Sequence, residues 1–130
     1  MKNKLVYPEL SYKITGILFE VHNELGRYLN EKQYGDSLES KLKENNISYE
    51  REKIVPIAFN GENKGRNKID FSIEDKIVLE IKTKRVVTKE DYYQVKRYLK
   101  VQQKKLGLIV NFREKVLTPK RVLNPEVKNW

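Results

Sequence analysis

Residues 68–83 read KIDFSIEDKIVLEIKT, two apolar runs separated by a charged break. In the first run Ile69, Phe71 and Ile73 alternate with Lys68, Asp70, Ser72 and Glu74. A period of two predicts a half-buried strand. Glu74-Asp75-Lys76 interrupts it, and Ile77-Val78-Leu79-Glu80-Ile81-Lys82 follows. Side chains of an extended chain alternate between faces, so Ile77, Leu79 and Ile81 share one face and Val78, Glu80 and Lys82 the other. The pair reads as a hairpin that brings Asp70 towards Glu80 and Lys82. Charges set among aliphatic residues cost free energy unless they are paired or bind a metal.

Working outward, an apolar stripe of Leu10, Ile14, Ile17, Leu18 and Val21 predicts a helix over residues 10–25, with Pro8 in its first turn and Gly26 as its stop. His22, the single histidine, reads as a helix-end or packing residue. Tyr34, Leu38 and Leu42 predict a second helix over 30–45, capped by Asn30. Glu31 lies three residues before Tyr34. It reads either as a first-turn charge favoured by the helix dipole or as a carboxylate aimed at a site. Residues 49–59 read as a strand interrupted by Pro56, which implies an edge strand or a bend, and Asn60-Gly61 as a turn. Thr88 caps a helix running to about 105, with Glu90 and Asp91 in its first turn. LGLIVNF, 106–112, is a continuous apolar run that reads as a buried strand, and Gly107 within it implies a close approach of another element. The tail, 113–130, holds short β-like pieces between Pro119 and Pro125 and is assigned little function.

The resulting order, α-α-β-β-β-α-β, predicts a mixed α/β (α+β) fold with a central mixed sheet flanked by helices. The 130 residues have no Pro/Gly/Ser-rich divider and are expected to form a single domain, with a core over about 10–112. The absence of cysteine excludes disulfides, thiolate nucleophiles and iron–sulfur clusters. With one histidine, any metal must be held by carboxylates and carbonyls, which suits Mg2+, Mn2+ or Ca2+. No apolar run reads as a membrane span or a signal peptide, and a cytoplasmic location is expected. Twenty-seven Lys and Arg against eighteen Asp and Glu give a formal charge of +9, which favours a polyanionic partner such as DNA.

Asp70, nine intervening residues and then Glu80-Ile81-Lys82 resembles the D…(D/E)-x-K core of the PD-(D/E)XK nuclease superfamily. Within that superfamily the chain is most similar to the GxxExxY group over residues 10–112. EVHNELG (20–26) resembles that group's first-helix ending, and Glu31 and Tyr34 stand at the naming Glu and Tyr. YYQVKRYL (92–99) resembles its glutamine-bearing helix, and LGLIVNF its last core strand. The motif's glycine is replaced here by Tyr28.

The resemblance implies a restriction-endonuclease-like fold and a metal-dependent DNA endonuclease acting in repair, recombination or defence, with a homodimer as one arrangement. The alternative is a catalytically silent nuclease-fold module that binds nucleic acid or a protein. In the nuclease reading Asp70, Glu80, the backbone carbonyl of Ile81 and Glu31 hold Mg2+ or Mn2+. Lys82 holds or deprotonates water or screens the phosphate, and Gln94 orients water or contacts the scissile strand. Lys84, Arg85, Lys89, Lys96, Arg97 and Lys100 are the candidate phosphate contacts.

Overall fold

A computed structural model describes residues 6–127. Its elements are α1 (Pro8–Leu25), α2 (Glu31–Glu44), β1 (Tyr49–Ile54), β2 (Lys68–Ile73), β3 (Ile77–Lys82), α3 (Lys89–Gln102), β4 (Leu106–Asn111) and β5 (Lys120–Leu123). The strands form one five-stranded sheet in the order β1-β2-β3-β4-β5. β1, β2 and β3 pair antiparallel, α3 carries the chain over to β4 parallel to β3, and β5 returns antiparallel to β4. This is the expected mixed sheet flanked by helices, with one addition. The tail supplies a fifth strand, with Leu106 against Leu123 and Ile109 against Lys120. Its four residues bury only Val122, too short a pattern to stand out between two prolines.

Local chemistry explains where the helices begin. Asn30 Oδ1 accepts the Gln33 N–H at 2.8 Å, and Gln33 Oε1 accepts the Asn30 N–H at 2.9 Å, a reciprocal cap on α2. Asp91 Oδ2 accepts the Thr88 N–H at 2.7 Å and so fixes the start of α3. β1 ends two residues before Pro56 and is an edge strand, so the proline interrupts no ladder.

The sheet is buried on both faces. Phe71, Ile73, Ile77, Leu79 and Ile81 pack with α1 and α2, whereas Ile69, Val78 and Ile109 pack with Val95, Tyr98 and Leu99 of α3. β2 is therefore not half-buried, since Ser72 is covered as well. Nor do its apolar residues share one face, because Ile69 turns to the α3 side while Phe71 turns to the α1/α2 side. The change of face falls at Asp70.

Gly107 marks the close approach expected of it. A Cβ there would lie 2.5 Å from Val95 Cγ1 of α3. Val95 is fully buried and stiff at χ1. Gly107→Ala is expected to destabilise the fold by about 1–3 kcal/mol through overpacking, read as a lower denaturation midpoint at unchanged slope.

Candidate active site

The site begins where the ladders on both sides of β2 fail. Between β2 and β3 the paired residues are Phe71 with Leu79, Ser72 with Val78 and Ile73 with Ile77, and pairing stops before Asp70 and Glu80. Side chains take over from the backbone there. Glu80 Oε2 accepts the Asp70 N–H at 2.8 Å, and Asp70 Oδ2 accepts the Ile81 N–H at 2.7 Å. On the other side, β1 pairs Arg51 with Phe71 and Lys53 with Ile69 but skips Glu52, which has φ 53. A non-glycine residue in the left-handed region is strained. The strain sits opposite Asp70, where the sheet opens.

Each carboxylate thus uses one oxygen on a backbone N–H. Asp70 Oδ1 and Glu80 Oε1 accept no hydrogen bond from the described residues. Burial is the main cause of an upward shift in both groups, Asp70 to about 6 and Glu80 to about 8. The negative charge of Asp70 adds to the shift at Glu80, and those of Glu31 and Glu52 add to the shift at Asp70. The Lys82 ammonium opposes the rise in both.

Lys82 projects on the same face of β3 as Glu80, as its spacing predicts, and α3 holds it. Its Nζ donates to Gln94 Oε1 at 3.3 Å and lies 3.9 Å from Asp91 Oδ1. Gln94 and Lys82 are therefore brought together. Tyr98, one turn further along α3, is buried beneath the carboxylates. Burial pushes its phenol up to about 12, and the charges of Glu80 and Asp70 push the same way.

Glu31 is exposed at the start of α2 and lines a cleft of about 290 Å³ with Asp70, Arg51, Glu52 and Lys68. Among the described residues no group of three or more His, Asp or Glu side chains could hold a metal ion, so Glu31 does not complete such a group with Asp70 and Glu80. Arg51 forms the cleft wall. Its Nη1 donates to Asp36 at 2.7 Å and Glu39 at 3.0 Å, tying β1 to α2.

The expected phosphate contacts do not form one set. Lys84 is drawn into an ion pair, with Nζ 2.9 Å from Asp91 Oδ2. Its backbone is clamped by the buried Asn111, whose Oδ1 accepts the Lys84 N–H at 3.1 Å and whose Nδ2 donates to the Lys84 carbonyl at 2.7 Å. Lys96, Arg97 and Lys100 line a separate groove against Leu123, Asn124 and Pro125. Arg85 and Lys89 are exposed. His22 is a packing residue, its Nε2 lying 2.8 Å from the Glu114 carbonyl.

Sequence reasoning missed Glu52, Asp91, Tyr98 and Asn111 as parts of this neighbourhood. Asp91 carried a signal only as a helix-start charge. The Glu52 kink has no sequence mark at all.

A PD-(D/E)XK nuclease superfamily model matches residues 8–122, nearly the whole chain. The chain belongs to the PD-(D/E)XK nuclease superfamily. No curated protein and no solved structure matches it. Superfamily membership implies nucleic acid as the partner class, and nucleases of the PD-(D/E)XK superfamily are generally dependent on divalent metals. The donor set fits such an ion, because two largely desolvated carboxylates, both with raised proton affinity and each with one oxygen not engaged by a backbone N–H, are hard oxygen ligands that a cation would stabilise in ionised form. No helix among the described residues is long and apolar enough to cross a membrane.

Proposed function

We propose that this PD-(D/E)XK protein is a GxxExxY-type, metal-dependent nuclease that hydrolyses DNA phosphodiester bonds at the open end of β2 and β3. One observation carries the reading. Asp70 and Glu80 are each pinned by a backbone N–H with a second oxygen to spare, beside an ammonium that Gln94 holds. Asp70, Glu80 and the Ile81 carbonyl would hold Mg2+ or Mn2+, with Glu31 reaching the ion through water. Bound there, the cation would supply Lewis acidity towards water and towards a phosphate oxygen.

The chain's own groups supply the remaining steps. Lys82 Nζ holds or deprotonates the attacking water, or screens charge developing on the phosphate. Gln94 fixes that ammonium and orients water. Arg85, Lys89, Lys96, Arg97 and Lys100 contact backbone phosphates and set the register of the strand, whereas Lys84 is engaged by Asp91. The GxxExxY assignment is supported by the spacing of Glu31 and Tyr34. Glu31 faces the cleft, while Tyr34 is fully buried, donates to the Gly26 carbonyl at 2.6 Å and stacks on Phe112 with centroids 4.2 Å apart.

A cleavage panel of single-stranded, duplex, flapped and four-way DNA tests the proposal. Cleavage with Mg2+ or Mn2+ that EDTA abolishes is the expected result. Salt-sensitive binding with no cleavage under either metal would instead identify a catalytically silent module that binds nucleic acid.

A further inference from the structure

The loop between α1 and α2 carries a second cluster that the nuclease site does not use. Arg27 and Arg113 hold each other across the fold, Arg27 Nε donating to the Arg113 carbonyl at 2.8 Å and Arg113 Nε to the Arg27 carbonyl at 2.9 Å. Both guanidinium carbons lie close to the Tyr28 ring, 5.4 Å and 5.7 Å from its centroid. Tyr28 itself is 75% exposed.

Two features make this more than surface charge. Each arginine is fixed through Nε, so its terminal nitrogens are oriented at little entropic cost, and among the described residues neither guanidinium is paired with a carboxylate. Arg51, by contrast, is paired with Asp36 and Glu39. An exposed aromatic ring flanked by such guanidiniums suits a ligand with a flat π-face and an attached anion.

The position gives the ligand its class. The Phe112 N–H donates to the Lys82 carbonyl at 2.9 Å, and the Arg113 N–H donates to Asn111 Oδ1, the oxygen that also accepts the Lys84 N–H. Arg113 therefore emerges beside the backbone that carries Lys82 to Lys84. Tyr28 precedes Glu31 by three residues, on the loop that leads into α2. The cluster lies at the end of the sheet where Lys82 leaves β3.

We infer that Arg27, Tyr28 and Arg113 form a platform for an unpaired nucleotide next to the scissile phosphodiester. The base stacks on Tyr28 and its phosphate takes the free guanidinium nitrogens. The inference rests on the nuclease reading and narrows its substrate to DNA with a single-stranded flap or overhang. A base inside a duplex has both faces covered by its neighbours and cannot use the ring.

Fluorescence anisotropy with Ca2+ replacing Mg2+ tests this on two labelled duplexes, one blunt and one bearing an oligothymidine overhang. The wild type is expected to prefer the overhang. Tyr28→Ala is expected to weaken overhang binding roughly tenfold and to leave blunt-duplex binding unchanged, because aromatic stacking acts on unpaired bases. Tyr28→Phe retains the preference. Equal affinity of the wild type for both ends, or an equal loss on both in Tyr28→Ala, overturns the platform. Cleavage of both duplexes in Mg2+ is scored separately. A preference that persists without any cleavage retains the platform and removes the hydrolytic reading.

Discussion

Lys82→Ala is expected to reduce metal-dependent DNA cleavage by roughly 10²- to 10⁴-fold, the range for a side chain that transfers a proton or stabilises charge in the transition state. DNA affinity and thermal stability should change little. Lys82 is half-buried at the end of β3, and its Nζ is held by one hydrogen bond to Gln94 and one long ion pair to Asp91. Removing it leaves Asp91 still paired with Lys84 at 2.9 Å, and with Mg2+ or Mn2+ present the two carboxylates would keep a compensating cation. Lys82→Arg should not rescue the rate, because a planar guanidinium cannot reproduce a compact ammonium that gives up a proton. Gln94→Ala should show a smaller loss, since it frees the ammonium without deleting it. The measurement is single-turnover cleavage in Mg2+ and in Mn2+, beside binding and melting of each variant. Wild-type rates in Lys82→Ala would remove the lysine from the chemistry.

The sequence made much of this site legible because two strong patterns coincide in it. Val78, Glu80 and Lys82 share a face by strand alternation alone, and the structure turns that face towards α3. Asn30 and Thr88 read as caps because their side chains leave few other local roles, and both helices start beside them. What stayed hidden is what strand periodicity cannot express. Alternation assumes a regular ladder, whereas Asp70 and Glu80 sit where the ladder is replaced by side-chain hydrogen bonds, so the move of Ile69 to the other face was invisible. Glu52 adopts its left-handed conformation through tertiary context, and no propensity of glutamate announces it. Arg27 and Arg113 are 86 residues apart in the chain, and their mutual hydrogen bonds belong to the fold alone. Lys84 looked like a free cation in the sequence. Asp91 consumes it because the helix cap that orients Asp91 also brings its carboxylate to the end of β3.

The carboxylate pair has a second measurable consequence, in the metal-free chain. Asp70 is raised from 3.8 to about 6 and Glu80 from 4.5 to about 8, chiefly by burial. A folded-state value above the unfolded one means that the folded chain binds more protons between the two. The stability contributed by the pair is thus complete below the unfolded values and is lost as the pH rises through about 6 and then about 8. Asp91, Glu39, Glu74 and Asp75 are lowered instead, so their contribution is lost on acidification below the usual carboxylate range and lies outside this window. In EDTA the unfolding free energy is therefore expected to fall by an amount on the order of a few kcal/mol as the pH is raised from about 5 to about 9, and the melting temperature to fall with it. Glu80→Gln removes the charge that burial penalises most and should flatten the profile, raising stability at alkaline pH while abolishing cleavage. Mg2+ held by the ionised pair, as proposed, would stabilise the folded state by mass action, so its effect on melting should grow with pH and vanish in Glu80→Gln. A metal-free profile that is flat or rises with pH would show that the two carboxylates ionise without cost. The pair would then be a solvated feature of the sheet, with no bias towards a cation.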